Sequence, residues 1–417
     1  MNYLMRMAWR NLGRHRGRTA LSLLAVVMGV FVVVMAKGFV DGMLDSWIMY
    51  NISLNSGHVR IIQPEYELKE RMLSLAHPVG DDERPYSDIV EDIRRLPEVS
   101  AATGRIRFGM MLVAGEDLQE TAFGIGTELD QEERAVRLSR FLADRDAGRL
   151  PEPGRQEIVM GEQLMAKLRL RVGDKVTGLF STSFGSLGLA TFQVVGRMSS
   201  GLKLLDETSV YIPLDVAMRL LDMDDAVTEI VVFGQNTAQT PALMAGVQRV
   251  VGPGLKAVPW NEYNELISYM QQVRAIYTVI YAFLVVLASF VVFNTLLMVV
   301  SERTREIGML SALGLNPASI RHLFLLEGAI VAVAGSIAGA VMGWAFNWWF
   351  GQVGLDIASM TEALGGDILM TPRVYPTTDL SVAVFSFILG VAVTMIAVYL
   401  PARRAGSLRP TEALRTA

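Results

Sequence analysis

Four apolar stretches without a charged residue constrain the fold of this chain more than any other feature. They cover 19–36, 275–300, 328–350 and 380–402. A helix needs about 20 apolar residues to cross a bilayer. The last three stretches reach that length, and 38–40 can extend the first one past Lys37. Buried helices of soluble proteins rarely run this far without a charge, so the sequence predicts four transmembrane helices.

The first stretch follows a basic segment, which is also the pattern of a cleaved signal peptide. It is long for the apolar region of such a peptide, and three more stretches follow it. A membrane anchor is therefore the favoured interpretation.

Positive charge is concentrated on one side of the predicted spans. Residues 1–18 contain five arginines and no acid, and the 301–322 loop and the tail after 402 are also rich in arginine. The 351–379 loop instead carries four acids against Arg373 as its only base. Because Lys and Arg collect on the cytoplasmic side, we expect both termini and the 301–322 loop in the cytoplasm. The 42–273 segment and the 351–379 loop are then outside.

The predicted layout has nine parts. An amphipathic elbow helix (1–18), with Met5, Ala8, Trp9 and Leu12 on one face, should lie flat on the inner leaflet. The other eight parts follow in chain order: span 1 (19–41), an outer domain (42–273), span 2 (274–300), a coupling segment (301–322), span 3 (323–350), an external loop (351–379), span 4 (380–402) and a tail (403–417).

The outer segment alternates strand-like and helix-like runs, which predicts a large α+β domain. The predicted fold class is therefore membrane α-helical, with four transmembrane helices in a 1+3 arrangement and a large α+β extracytoplasmic domain. The Pro- and Gly-rich residues 143–155 predict two subdomains that divide near 150. The 42–273 segment holds 33 acids and 23 bases, a net charge of −10. This argues against nucleic acid as a partner.

Catalytic patterns are missing from the sequence. None of the four histidines has another histidine or an acid at metal-ligand spacing, and there is neither a G-x-S-x-G elbow nor a P-loop. Glu327, near the start of span 3, fits a snorkelling or capping group better than a proton site. We expect a non-catalytic chain without a metal or cofactor of its own.

The segment between spans 2 and 3 has the features of a rigid helix–corner–helix. Span 2 should continue as a charged helix that Gly314 stops, and Asn316 should then cap a new helix with Pro317 at its first position. A plain connecting loop is the alternative, but the separation of charged and apolar residues suggests a face for a protein partner. The candidate coupling residues are Glu302, Arg303, Arg305, Glu306, Ile307, Gly308, Leu310, Leu313, Gly314, Asn316 and Pro317.

Three glycines in span 3 form overlapping G-x-x-x-G motifs: Gly335, Gly339 and Gly343. Small residues at this spacing allow close approach of helices in lipid. The spacing predicts a tight helix interface, which is either able to shift or simply static packing within the chain.

These segments together resemble a known family. The run RTREIGMLSALG at 303–314 is similar to the cytoplasmic motif of MacB/FtsX-like permeases of ABC transporters. AWRNLGRHRGRT at 8–19 and PARRAGSLRPTEALR at 401–415 resemble the family's N-terminal elbow and C-terminal signature. SGHV at 56–59, LRVGD at 170–174 and YIPL at 211–214 resemble its outer domain. The 38–42 and 56–61 segments look most like the lipoprotein-release (LolC/LolE-like) branch.

The resemblance implies a permease of the bacterial inner membrane with both termini cytoplasmic. Its implied partners are an ABC ATPase dimer that binds ATP-Mg, a second permease (identical or paralogous), membrane lipid, and a periplasmic carrier or adaptor. The corner would dock on the ATPase, and the substrate would be a lipoprotein or another amphiphile. Two alternatives stay open: an FtsX-like mechanical signal transducer that activates a periplasmic enzyme, and a macrolide or peptide efflux permease.

Overall fold

A computed structural model describes residues 2–14, 16–115, 118–143, 148–200, 203–262, 265–302, 304–312, 315–356 and 373–407. The chain forms two compact units. The helical unit lies within Met1–Ser46, Tyr269–Asp356 and Arg373–Ala417, and the sheet unit is built mainly from Trp47–Ser268. Each unit is described by itself below.

The chain begins with the short helix α1 (Asn2–Arg14) and the long helix α2 (Arg16–Asn51). α2 runs well past the uncharged stretch, and Lys37 and Asp41, one turn apart, form a partly buried ion pair of 2.7 Å there. The helix then widens into a π-helical turn, Ile52–Ser56. Gly57 ends this turn at φ 61° and donates its N–H to the Ile52 carbonyl at 2.9 Å.

The sheet unit contains nine strands and seven α-helices among its described residues. The strands are β1 (Val59–Ile62), β2 (Val99–Ala114), β3 (Leu118–Thr127), β4 (Glu157–Gly161), β5 (Lys175–Ser181), β6 (Leu187–Met198), β7 (Ser209–Pro213), β8 (Glu229–Gly234) and β9 (Lys256–Pro259). The helices are α3 (Pro64–Lys69), α4 (Tyr86–Arg94), α5 (Leu129–Val136), α6 (Glu162–Lys167), α7 (Lys203–Thr208), α8 (Leu214–Leu221) and α9 (Thr240–Val251).

One sheet joins all nine strands in the order β3-β7-β4-β6-β5-β2-β8-β1-β9. β2 also pairs with β3, so six of the strands close into a ring, and β8, β1 and β9 extend the sheet from β2. β2 can pair with three other strands because it has 16 residues. Its first part pairs with β8 and its last part with β5, while β3 follows its other edge.

The expected division into two subdomains near residue 150 is wrong. In the ring, β4 to β7, which follow that position in the chain, connect β3 to β2, which both precede it. A single core contains Ile106 and Phe108 from one side of the position, and Ile158 and Phe192 from the other. Within the Pro- and Gly-rich segment, Gly148 instead forms a bridge with Gly196 of β6.

The helical unit is completed by α10 (Glu265–Glu302), α11 (Thr304–Ala312), α12 (Pro317–Val353) and α13 (Leu380–Gly406). A two-stranded pairing of β10 (Leu355–Asp356) with β11 (Arg373–Val374) follows α12. Four described helical segments have the length and apolarity to cross a membrane: Arg16–Ser56, Gln272–Glu302, Pro317–Val353 and Leu380–Gly406. With the α+β sheet unit, they confirm the predicted fold class.

Candidate functional site

The corner, residues 302–317, is attached to the rest of the helical unit by the apolar side chain of Ile307. Ile307 of α11 is only 2% exposed. It lies in a cluster with residues of three other helices: Val300, Ile320, Phe324, Ala402 and Ala405. The end of α10, the start of α12 and the end of α13 therefore hold α11 in place.

This packing corrects the interpretation of Ile307 as part of a partner-facing surface. Its side chain and Gly308 are buried within the chain, so neither can contact another protein without local rearrangement. Met309 points the other way and is 47% exposed. Sequence reasoning did not select Met309, although it stands two positions from Ile307 and therefore on a different helix face.

The second half of the corner is a capped helix start. The Asn316 side chain accepts a hydrogen bond from the Ser319 N–H at 2.7 Å, and Pro317 occupies the first turn. Gly406 of α13 approaches this point so closely that a Cβ there would lie 2.7 Å from the Pro317 carbonyl oxygen. The start of α12 and the end of α13 are thus in direct contact.

Glu302 and Glu306 are the charged residues of the corner whose side chains the structure describes. The Glu302 carboxylate forms an ion pair with the Arg18 guanidinium of α2, and a second hydrogen bond of this pair, from Nη2 to Oε1, is 2.7 Å long. Glu306 is partly buried. Arg303, Leu313 and Gly314 lie outside the described residues, as do the side chains of Arg305 and Leu310.

The elbow helix α1 is attached to α12 through a polar contact. The Asn11 Nδ2 donates to the buried Glu327 Oε1 at 2.6 Å, so Glu327 is a hydrogen-bond acceptor within the helical unit. Ala8 is fully buried whereas Trp9 is 70% exposed. The apolar face predicted for α1 is therefore divided between this packing and an exposed aromatic side chain.

The three glycines of α12 face α2. A Cβ on Gly335 would lie 2.8 Å from the Val26 Cβ, and one on Gly343 would lie 2.6 Å from the Val34 Cβ. At Gly339 the obstacle is backbone, because a Cβ would lie 2.5 Å from the Val27 carbonyl oxygen. The two helices approach each other at distances that only glycine permits here.

In the sheet unit, a buried arginine of β2 holds the π-helical turn that ends α2. The Arg105 guanidinium forms a bidentate ion pair with Glu132, at 2.7 and 3.0 Å, and both side chains are buried. It also donates to the carbonyl oxygens of Leu54 and Asn55, at 3.0 and 2.8 Å. These carbonyls carry the negative end of the helix dipole, which favours a cation. Burial lowers the pKa of Arg105, but the charge and hydrogen bonds of Glu132 outweigh it and raise the pKa overall.

A second buried ion cluster supports the same turn. Glu229 of β8 pairs with Arg60 at 3.1 Å and with Arg107 at 2.7 Å. Arg107 also donates to the Asn55 carbonyl at 2.7 Å. Sequence reasoning missed these groups, although Arg105 and Arg107 stand at alternate positions of a strand and therefore share one face.

The described residues contain no group of three or more His, Asp or Glu side chains placed to hold a metal ion.

Comparison with known proteins places the chain in a family. The family model of the MacB-like periplasmic core domain matches residues 19–250, more than half of the chain. The model of the FtsX-like permease C-terminal matches residues 278–410.

Several curated relatives agree with these matches. The lipoprotein-releasing system transmembrane protein LolC of Neisseria meningitidis is 27% identical over 280 residues, 63% of this chain and 66% of the relative, just under two thirds of its length. LolC of Xylella fastidiosa strain 9a5c is 24% identical over 84% of this chain and 87% of the relative. The macrolide export ATP-binding/permease protein MacB of Wolinella succinogenes is 23% identical over 98% of this chain and 60% of the relative.

Among solved structures, the periplasmic region of MacB from Actinobacillus actinomycetemcomitans matches 53% of this chain and 98% of that one, with 14% identity and a TM-score of 0.36. The family assignment depends instead on the two family models. One matches residues 19–250 and the other matches residues 278–410. The chain belongs to the MacB/FtsX-like family of ABC transporter permeases.

Proposed function

We propose that this chain is a permease subunit that transmits energy from a separate ATPase to its outer domain, and thereby releases or exports lipoproteins or another amphiphile. The observation that carries the proposal is how α2 is held. Near its start, Arg18 pairs with Glu302 of the corner. Further along, the helix packs against the glycines of α12, and Arg105 holds the turn that follows its end.

The corner is proposed as the docking site for the ATPase. Its fastened helix α11 exposes Met309 and carries Glu306. An apolar side chain next to charge, on a helix that its own unit holds in place, is suited to a protein contact. ATP and Mg²⁺ would bind to the ATPase, and two permease chains, identical or paralogous, would act with an ATPase pair.

An exposed hairpin of the sheet unit supports a protein partner on the outer side. Three large apolar residues of the β5–β6 hairpin are exposed: Phe184 (82%), Leu187 (79%) and Leu189 (66%). Clustered exposed apolar side chains mark interaction sites in soluble domains. We propose that a periplasmic carrier or adaptor contacts this hairpin and receives the amphiphile.

Reconstitution tests this function. The chain, a second permease subunit and the ATPase would be incorporated into proteoliposomes loaded with a labelled lipoprotein, and transfer of the label to a soluble carrier would be followed with and without ATP. We expect ATP-dependent transfer. The double variant Phe184→Asp/Leu187→Asp should lose transfer but keep its ATP turnover, because the hairpin is remote from the corner in the sequence and belongs to the other unit.

Val172→Asp is the matched control, because Val172 is an exposed apolar residue of the same unit outside this hairpin. Stimulated ATP turnover without transfer of the lipoprotein would contradict the proposed substrate. ATP-dependent uptake of a macrolide would then support efflux, and activation of a periplasmic hydrolase without any transport would support signal transduction.

A further inference from the structure

The sheet unit has an open groove, about 480 Å³ in volume, beside the π-helical turn. Three arginines line it: Arg134 in α5, Arg137 directly after that helix, and Arg140 in the 3₁₀ turn Leu138–Phe141. Among the described residues, none that lines the groove is acidic. In a domain whose sequence carries a net charge of −10 over 42–273, this is a local concentration of positive charge.

Two neighbouring carboxylates, those of Glu132 and Glu133, are engaged elsewhere. Glu132 is buried against Arg105. The Glu133 carboxylate accepts hydrogen bonds from the Ser139 N–H at 2.8 Å and from the Ser139 hydroxyl at 2.7 Å. Arg134 and Arg137 form no ion pair with any described acid, and both are exposed. Their guanidinium groups are therefore free to bind an anion.

The groove also positions these donors. The backbone of Arg137 is in the left-handed region at φ 51°, at the end of α5. Arg140 lies with its guanidinium carbon 4.6 Å from the centre of the Phe141 ring and donates from Nη2 to the Ser53 hydroxyl at 3.3 Å. A stacked guanidinium loses less freedom on binding than a solvated one.

Apolar side chains form the rest of the lining, among them Met49, Ile52 and Phe233. Met49 is 49% exposed, and it belongs to α2, the helix that contains the first span. A free inorganic anion would gain nothing from these side chains, whereas an anionic amphiphile would contact both parts of the groove. We propose that this groove binds the phosphate headgroup of an anionic membrane phospholipid, with the three arginines on the phosphate and the apolar side chains against the start of the acyl chains.

The test uses the purified full chain in non-ionic detergent micelles and three probes: dioctanoyl phosphatidylglycerol, dioctanoyl phosphatidylcholine and inorganic phosphate. Binding would be measured by native mass spectrometry and isothermal titration calorimetry. We expect phosphatidylglycerol to bind at least tenfold more tightly than the other two probes, and its affinity to fall with rising salt. Arg134→Gln and Arg137→Asn should each weaken this binding about tenfold, because each removes one charge-assisted contact.

Asn is chosen at Arg137 because it tolerates positive φ, and Arg134→Gln provides a second variant on regular helix. Arg249→Gln is the matched control, since Arg249 is an exposed arginine of the same unit outside the groove. The proposal is overturned if inorganic phosphate binds as tightly as the lipid, if phosphatidylcholine matches phosphatidylglycerol, or if the groove variants bind like the control. The lipoprotein transfer assay does not enter this test, so the two proposals can fail separately.

Discussion

Gly339 has no room for a side chain in the helical unit. A Cβ there would meet the Val27 carbonyl oxygen at 2.5 Å, the Val30 Cβ at 2.9 Å and the Phe31 nitrogen at 3.1 Å. Two of these atoms belong to the backbone of α2 and cannot rotate away. Any side chain at this position must separate the two helices.

We therefore expect Gly339→Ala to destabilise the purified chain by about 1–3 kcal/mol, the usual cost of overpacking, and Gly339→Leu by more. Val341→Leu is the control, since Val341 is on the same helix but exposed. The measurement is the thermal melting temperature in detergent. A Gly339→Leu variant that melts with the control would show that α2 and α12 can separate without cost.

Arg105 and Glu132 form a buried pair whose two halves depend on each other. Arg105→Met or Glu132→Leu alone leaves an uncompensated buried charge, which costs about 3–5 kcal/mol. The double variant removes both charges and should recover part of this loss. It should not recover all of it, because the Leu54 carbonyl, to which Arg105 donates, loses this donor at a cost of about 1–3 kcal/mol.

Hydrogen–deuterium exchange at residues 52–60 would measure this local stability. We expect the fastest exchange in the single variants, intermediate exchange in the double variant and the slowest in the unaltered chain. If the effects of the two single variants simply add in the double variant, the two side chains do not stabilise each other.

Glu157 predicts a pH dependence of the sheet unit. The hydrogen bonds from Arg149, both 2.7 Å long, hold the pKa of the Glu157 carboxyl below its usual value of 4.5. A carboxyl with a lowered pKa in the folded state stabilises the fold fully above its unfolded pKa, and this stabilisation is lost as the pH falls through the folded pKa.

Unfolding monitored by circular dichroism from pH 7 to pH 3 would measure this dependence. We expect Glu157→Gln to be less stable than the unaltered chain at pH 7, with a difference that shrinks below about pH 4.5. Asp215→Gln is the comparison, because Asp215 pairs with Arg219 on the exposed surface of α8. If the difference in stability between Glu157→Gln and the unaltered chain stays constant over this range, the pKa of Glu157 is not lowered in the folded protein.

Within α11, Ile307, which the sequence analysis assigned to a partner-facing surface, instead has a structural role. Ile307 attaches the helix to the unit, and Met309 is available for a partner. Ile307→Ala should therefore destabilise the helical unit by about 2–5 kcal/mol, as for other buried large-to-small substitutions.

Met309→Asp should leave the melting temperature unchanged within error and reduce permease-stimulated ATP turnover at least tenfold, since it places a charge in the proposed contact with the ATPase. His322→Asp, at an exposed position of α12 beyond the corner, controls for the added charge. Co-purification with the ATPase and its ATP turnover would be measured for each variant. If Met309→Asp still activates the ATPase like His322→Asp does, docking does not use the exposed face of α11.

At the scale of the whole molecule, the distribution of arginines predicts the orientation in the membrane. The chain has no cysteine, so single cysteines can report the side on which a residue lies. We expect Ser87→Cys to react with an impermeant maleimide on spheroplasts, and Ser311→Cys to react only after the membrane is permeabilised. Thr416→Cys should behave like Ser311→Cys. Labelling of Ser311→Cys but not Ser87→Cys on intact spheroplasts would reverse the orientation.

Features that depend on local composition and local geometry could be predicted from the sequence alone. Spans are readable because a helix in lipid needs a long uncharged run whatever its neighbours are. The start of α12 is readable because the Asn316 cap and Pro317 act within one turn. The G-x-x-x-G spacing in α12 likewise indicated where another helix could approach closely, but not which helix would pack there.

Features that join distant parts of the chain could be recognised only in the folded protein. Arg105 and Glu132 are 27 residues apart, and no local pattern shows that the charges are buried together. The ring of six strands overrode the Pro- and Gly-rich segment that suggested a boundary near 150, because β2 pairs with strands on both of its edges. The direction of Ile307 depended on residues of α10, α12 and α13. A helix has several faces, and its neighbours determine which one is buried.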